Sequence, residues 1–217
     1  PPPPPPPPPP FFFHPHAATP DSVASRGLGD VYKRQVLPEV LDDQDVDRIT
    51  VIGHHTGASI ASEFAKSHPS RVDKIILHGI PLYTKEERKE RMSNLKVDLS
   101  PKKDGSHLVN YWNWIQSRVG GRATLESCQM SLLHVFLAGE NEWFCHHAAF
   151  AYNLEKTLLE LRQPCLIISN TGDPLHYIIP RVQSLRDDFT YRELEGGSVF
   201  FIRDEPEKWV DCIGDFL

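Results

Sequence analysis

Ile49-Thr50-Val51-Ile52-Gly53-His54-His55-Thr56-Gly57 decides how the chain is read, because an apolar run passes through a glycine-bracketed turn into a stretch rich in alanine. Asp47 to Gly53 reads as a short strand. Beyond the turn, Ala58, Ile60, Ala61, Phe64 and Ala65 recur at helical spacing, giving a helix with one apolar face that stops at His68-Pro69-Ser70. The product is a strand, a sharp turn and a helix. Glycines permit so tight a turn because they carry no Cβ. His55 stands at its centre.

Leu37 to Leu41 is helix-like and precedes this unit. After it, Val72-Asp73-Lys74-Ile75-Ile76-Leu77-His78-Gly79 reads as a second strand, whose partner comes much later as Gln163 to Asn170. Phe189 to Leu194 is a further strand, followed by Gly196-Gly197 and a closing helix around Pro206 to Leu217. Apolar runs without alternation suit strands buried on both faces of a parallel sheet. The expected class is α/β, a mostly parallel sheet with flanking helices and an inserted helical cap at about 82–160. The insertion is charged from Lys85 to Arg91, as a solvated helix would be. It then turns aromatic, with Tyr111, Trp112, Trp114, Phe136, Trp143, Phe144, Phe150 and Tyr152. Most of these are expected to hold the insertion onto the sheet.

With 217 residues the chain is long enough for one domain with a real core. Residues 1–35 stand apart. Pro1 to Pro10 precede Phe11-Phe12-Phe13, and the stretch closes on Asp30-Val31-Tyr32-Lys33-Arg34-Gln35. A proline run adopts polyproline II and contributes no hydrogen-bond ladder, so a disordered tail or a ligand for a proline-binding module are both open readings. The preferred one is translated low-complexity and adapter-derived sequence, a non-native tail. It has neither the basic start nor the apolar centre of a secretory signal. Residues 36–217 are then a partial domain.

The formal net charge is −6, and no basic stripe is present, so nucleic-acid binding is not expected. No apolar run approaches membrane-spanning length, so no membrane partner is expected. Cys128, Cys145, Cys165 and Cys212 lack CxxC spacing and read as reduced thiols of a cytoplasmic protein. No cofactor is expected. Oligomeric state is left open.

Strand, glycine-bracketed turn, helix, strand, insertion, strand, Gly172-Asp173, strand, Gly196-Gly197 and helix together resemble the C-terminal two-thirds of a capped α/β-hydrolase. Gly53-His54-His55-Thr56-Gly57 is similar to that family's G-x-S-x-G nucleophile elbow. Ser67-His68-Pro69-Ser70-Arg71-Val72 resembles the helix end running into strand six. Pro164 to Ile168 followed by Gly172-Asp173 resembles strand seven with the triad acid behind it. The resemblance implies catalytic positions at His55 in place of the serine, Asp173 as the acid, and Ser198 about where the histidine would be. It also implies the backbone N–H of Thr56 as one oxyanion donor, with the second donor and the earlier strands lying outside this sequence.

Classical serine hydrolysis is therefore not expected. Three roles stay open for His55: an inert residue in a binding pocket, a base or nucleophile, or a base for Ser198 in an exchanged triad. Substrate contacts are expected from His54, Trp143, His146, His147 and His176. No metal is expected, since adjacent helical residues point about 100° apart and rarely ligate one ion. The expected function is an α/β-hydrolase-family protein acting on or binding a small, fairly apolar molecule in a capped pocket; the alternative is a non-catalytic ligand-binding or regulatory protein on the same scaffold. The strand at residues 49–52 is expected to be an open apolar edge.

Overall fold

A computed structural model describes residues 37–95 and 97–217; the expectation for residues 1–35 lies outside them. In chain order the elements are α1 (residues 37–43), β1 (Ile49–His54), α2 (Thr56–Ser67), β2 (Val72–His78), α3 (Lys85–Ser93), α4 (Ser106–Val119), α5 (Leu125–Ala138), α6 (Trp143–Ala151) and α7 (Leu154–Glu160). There follow β3 (Cys165–Asn170), α8 (Ile179–Leu185), β4 (Thr190–Leu194), α9 (Phe201–Asp204) and α10 (Pro206–Ile213). The strands form one sheet in the order β1-β2-β3-β4. All three pairings are parallel.

Consecutive apolar residues of β2 and β3 feed two different cores, because successive strand side chains point to opposite faces. Ile75, Leu77, Cys165 and Ile167 pack on one side with Ala58, Ala61, Phe64 and Ala65 of α2, Leu158 of α7 and Val182 of α8. Ile76, Leu166 and Ile168 pack on the other with Phe201, Trp209 and Ile213. The unbroken apolar runs thus have the physical cause expected of them. The two outer strands differ. β4 is only partly covered, and β1, hydrogen-bonded to β2 on one side, leaves Ile52 46% exposed.

Small residues bring α2 down onto the sheet. Ala58, Ala61 and Ala65 are essentially buried, and a Cβ on Gly53 would come within 2.4 Å of the Gly57 carbonyl oxygen. The helix ends at Ser67, where the N–H of His68 still bonds to the carbonyl of Phe64 before Pro69 blocks continuation.

Helices α3 to α7 occupy the stretch between β2 and β3. α3 buries none of its side chains, in keeping with its charged sequence, and opens on a capping box between Thr84 and Glu87. α4 and α5 form their own cluster of Tyr111, Ile115, Val119 and Cys128. Asp204 ties that pair to α9 by accepting from Thr124 Oγ1 at 2.8 Å and from Ser127 Oγ at 2.5 Å. α7 instead belongs to the sheet layer. Its Thr157 and the preceding Tyr152 hydrogen-bond to the buried carboxylate of Glu63 on α2. Burial alone would raise the Glu63 pKa, but hydrogen bonds from Lys66, Tyr152 and Ser67 outweigh it and hold the carboxylate below its usual range.

Among the described residues Cys128, Cys165 and Cys212 form no disulfide. Among the described residues no helix is long and apolar enough to cross a membrane.

Candidate functional site

The parallel strands deliver His54, His78 and Asn170 to their carboxyl ends, the edge at which open α/β sheets hold ligands. One residue beyond β1 stands His55, with φ 51° and ψ −117°. A non-glycine residue with positive φ is strained and persists only where its surroundings hold it. Two contacts do so here. The His55 N–H donates to the His78 carbonyl at 3.0 Å, and its ring Nε2–H donates to Asp173 Oδ2 at 2.7 Å.

Asp173 is held as firmly. Its side chain is fully buried, and its second oxygen, Oδ1, accepts the backbone N–H of Leu175 at 2.6 Å. The carboxylate therefore meets a donor at each oxygen, as a buried charge requires. Gly79 clears the space between. At its φ of +62° a Cβ would stand 2.4 Å from His55 Cδ2 and 3.3 Å from Asp173 Oδ2, so no larger residue fits beside the paired side chains.

Behind this pair lies a buried polar chain. The Trp209 indole N–H donates to His78 Nδ1 at 3.1 Å, which puts the His78 proton on Nε2, facing Asn170 Oδ1 at 3.0 Å. Asn170 Nδ2 in turn donates to the carbonyls of Gly196 (2.9 Å) and Ser198 (3.1 Å). Burial lowers the His78 pKa, against the opposing pull of the Asn170 bond and of Asp173. His54 is lowered further, first by burial and then by the nearby His55 and His78. Its ring lies 4.3 Å from that of His55 and 5.1 Å from that of His78. The buried Nε2 of His54 has no hydrogen-bond partner among the described residues.

Solved structures share this arrangement of elements. A bromoperoxidase from Bacillus anthracis superposes with a TM-score of 0.64 at 13% identity, covering 84% of this chain and 72% of its own. The chain has the α/β-hydrolase fold. The enol-lactonase from Burkholderia xenovorans gives a TM-score of 0.62 at 14% identity, covering 86% of this chain and 72% of its own, and E-2-(acetamidomethylene)succinate hydrolase gives 0.62 at 13%, covering 84% and 71%. A curated relative, the 2-hydroxy-6-oxononadienedioate/2-hydroxy-6-oxononatrienedioate hydrolase of Cupriavidus pinatubonensis, is 36% identical over 59 residues. That match spans 27% of this chain and only 20% of the relative. No family model matches the sequence.

Within the α/β-hydrolase fold, the structure brings His55 and Asp173 into direct contact. Ser198 is placed differently. It is 1% exposed, and its Oγ accepts the N–H of Phe200 at 3.1 Å, within its own loop. Thr56 is the first residue of α2, where helix N–H groups lack intrahelical acceptors. His176 is anchored by its Nδ1 to Ser169 Oγ at 3.1 Å. Trp143 and His147 pack edge to face on α6, with ring centroids 5.5 Å apart, and His146 lies 3.7 Å from Glu142. Sequence reasoning passed over Gly79, His78, Asn170 and Trp209. Only the His78-Gly79 step at a strand end offered a signal, since nothing local in the sequence pairs Trp209 with a strand 131 positions away.

Proposed function

We propose that this chain binds, and through His55 and Asp173 acts on, a small and fairly apolar molecule at the carboxyl ends of the strands, beneath the inserted helices acting as a cap. The observation that carries the reading is the 2.7 Å bond from His55 Nε2 to the buried Asp173, made from a strained elbow. With Nε2–H committed to the carboxylate, the neutral ring keeps Nδ1 as the nitrogen able to take a proton. A water that gives its proton to Nδ1 attacks an ester-like carbonyl, Asp173 stabilises the imidazolium that forms, and the tetrahedral adduct collapses by breaking its bond to the alcohol oxygen, which takes that proton back from the ring. Thr56 N–H donates to the developing oxyanion. His54, His176, Trp143, His146 and His147 supply substrate contacts. The hydrolase and lactonase names of the relatives favour a carbonyl substrate of this size.

The test is an ester and lactone panel with His55→Ala, Asp173→Asn and Ser198→Ala. Turnover should fall by about a hundredfold or more in the first two, the usual contribution of a positioned base. An equal loss in Ser198→Ala would make its hydroxyl the attacking group. A wild type that binds panel compounds and turns over none of them would sink the catalytic reading in favour of a ligand-binding or regulatory protein.

A further inference from the structure

We propose that His54, His55 and Asp173 form a binding site for a divalent transition metal of the zinc class. One ligand atom from each of the three lies within 4.8 Å of those of the other two. The independent pointer is His54 Nε2, a buried ring nitrogen with no hydrogen-bond partner among the described residues. Burying such a group unsatisfied is costly, and an imidazole nitrogen beside a second imidazole and a carboxylate has a natural partner in a metal ion. His78 cannot take that part. Both of its nitrogens are committed, to Trp209 and Asn170, and its ring stands edge-on at the back of His54.

The helical argument against paired histidines does not reach these two. His54 ends a strand, His55 has left it with φ 51°, and the backbone reversal between them brings rings that a regular strand would send to opposite faces to within 4.3 Å. Nitrogen, nitrogen and carboxylate oxygen suit zinc, cobalt or nickel better than calcium or magnesium, which prefer oxygen alone. The hydrogen bond from Leu175 N–H to Asp173 Oδ1 is the outer contact that orients a ligating carboxylate.

Binding requires modest movement. Zinc–nitrogen bonds of about 2.0–2.1 Å put neighbouring tetrahedral ligands about 3.3 Å apart, so the His54 ring must swing inward and the His55–Asp173 pair must open slightly. The His55 proton passes through solvent from Nε2 to Nδ1. Both rings stay neutral, Asp173 offsets one of the two metal charges, and a fourth position is open to water. The site shares His55 and Asp173 with the proposed base but does not depend on turnover.

The experiment is titration of the 217-residue chain with Zn²⁺ against a chromophoric chelator, and with Co²⁺ followed by visible absorption. One equivalent should bind, and His54→Gln should weaken binding about tenfold or more. A His146→Ala/His147→Ala double variant should bind as the wild type does. Absence of stoichiometric binding overturns the proposal, as does binding that survives His54→Gln but is lost in the double variant. Should His54→Gln fail to fold, histidine ring resonances of the wild type decide: His54 signals must shift on adding Zn²⁺, and unmoved signals overturn the site. Ester turnover by chelator-treated protein tests the base separately, so the failure of either proposal leaves the other distinguishable.

Discussion

Two glycine-rich turns flank the candidate site, and they handle strain in opposite ways. In the elbow, positive φ falls on His55, the residue whose side chain projects to Asp173. In the second turn it falls on Gly196 and Gly197, at +71° and +67°, and the following Ser198 folds its hydroxyl back to the N–H of Phe200. A turn that places its strain on glycine gains a relaxed, inward side chain. A turn that places it on the presenting residue gains reach and must be held from outside, here by the His78 carbonyl, Asp173 and the space at Gly79.

The sharpest way to break this contrast is Gly172→Ala. An added Cβ would stand 2.0 Å from the Gly197 carbonyl oxygen, a backbone atom with nowhere to go. Chemical denaturation should register a loss of about 3 kcal/mol or more, and near-wild-type stability would mean the second turn is softer than described. Gly79→Ala should cost about 2 kcal/mol from its positive φ and contact with the His55 ring, and should also dislodge that ring. The His55 ring resonances report it, and unchanged resonances would show that the elbow needs no clearance there.

Acid comes next. His54 and His78 have folded pKa values below their unfolded value of 6.5, so the unfolded chain binds more protons as pH falls through that point. Stability is unaffected well above 6.5 and declines below it, until the folded-state values are reached. Melts between pH 7.5 and 5 should therefore drop, and His78→Gln should flatten the slope; equal slopes would exclude His78 from the effect. The smallest change is expected for Trp209→Phe, which removes the indole donor and leaves His78 Nδ1 unmet at a cost of about 1 kcal/mol. A thermal melt checks it.

The turn and its flanking elements were legible because each signal is local. Gly53, the alanines of α2 and the apolar runs of β2 and β3 act on their neighbours in sequence, and those elements stand within a residue or two of where the pattern put them. The site was legible only in part. Asp173 could be reached through the resemblance, since Gly172 marks the loop that carries it. The orientation of Ser198 could not, because it depends on positive φ at two preceding glycines rather than on residue type. The chain Trp209, His78, Asn170 was silent in the sequence because it joins α10, β2 and β3, three elements that only the sheet brings together. Among the described residues β1 pairs with β2 alone, as the open edge expected there requires.

The Trp209 contact also makes the molecule its own optical instrument. A proton gained by His78 would fill Nδ1, the nitrogen that accepts the indole N–H, so the fluorescence of Trp209, one of four tryptophans in the chain, should change with the charge of His78. Since Asn170 carries the same chain on to the carbonyls of Gly196 and Ser198, a shift of that loop, from ligand or from mutation, should be readable in the emission of Trp209.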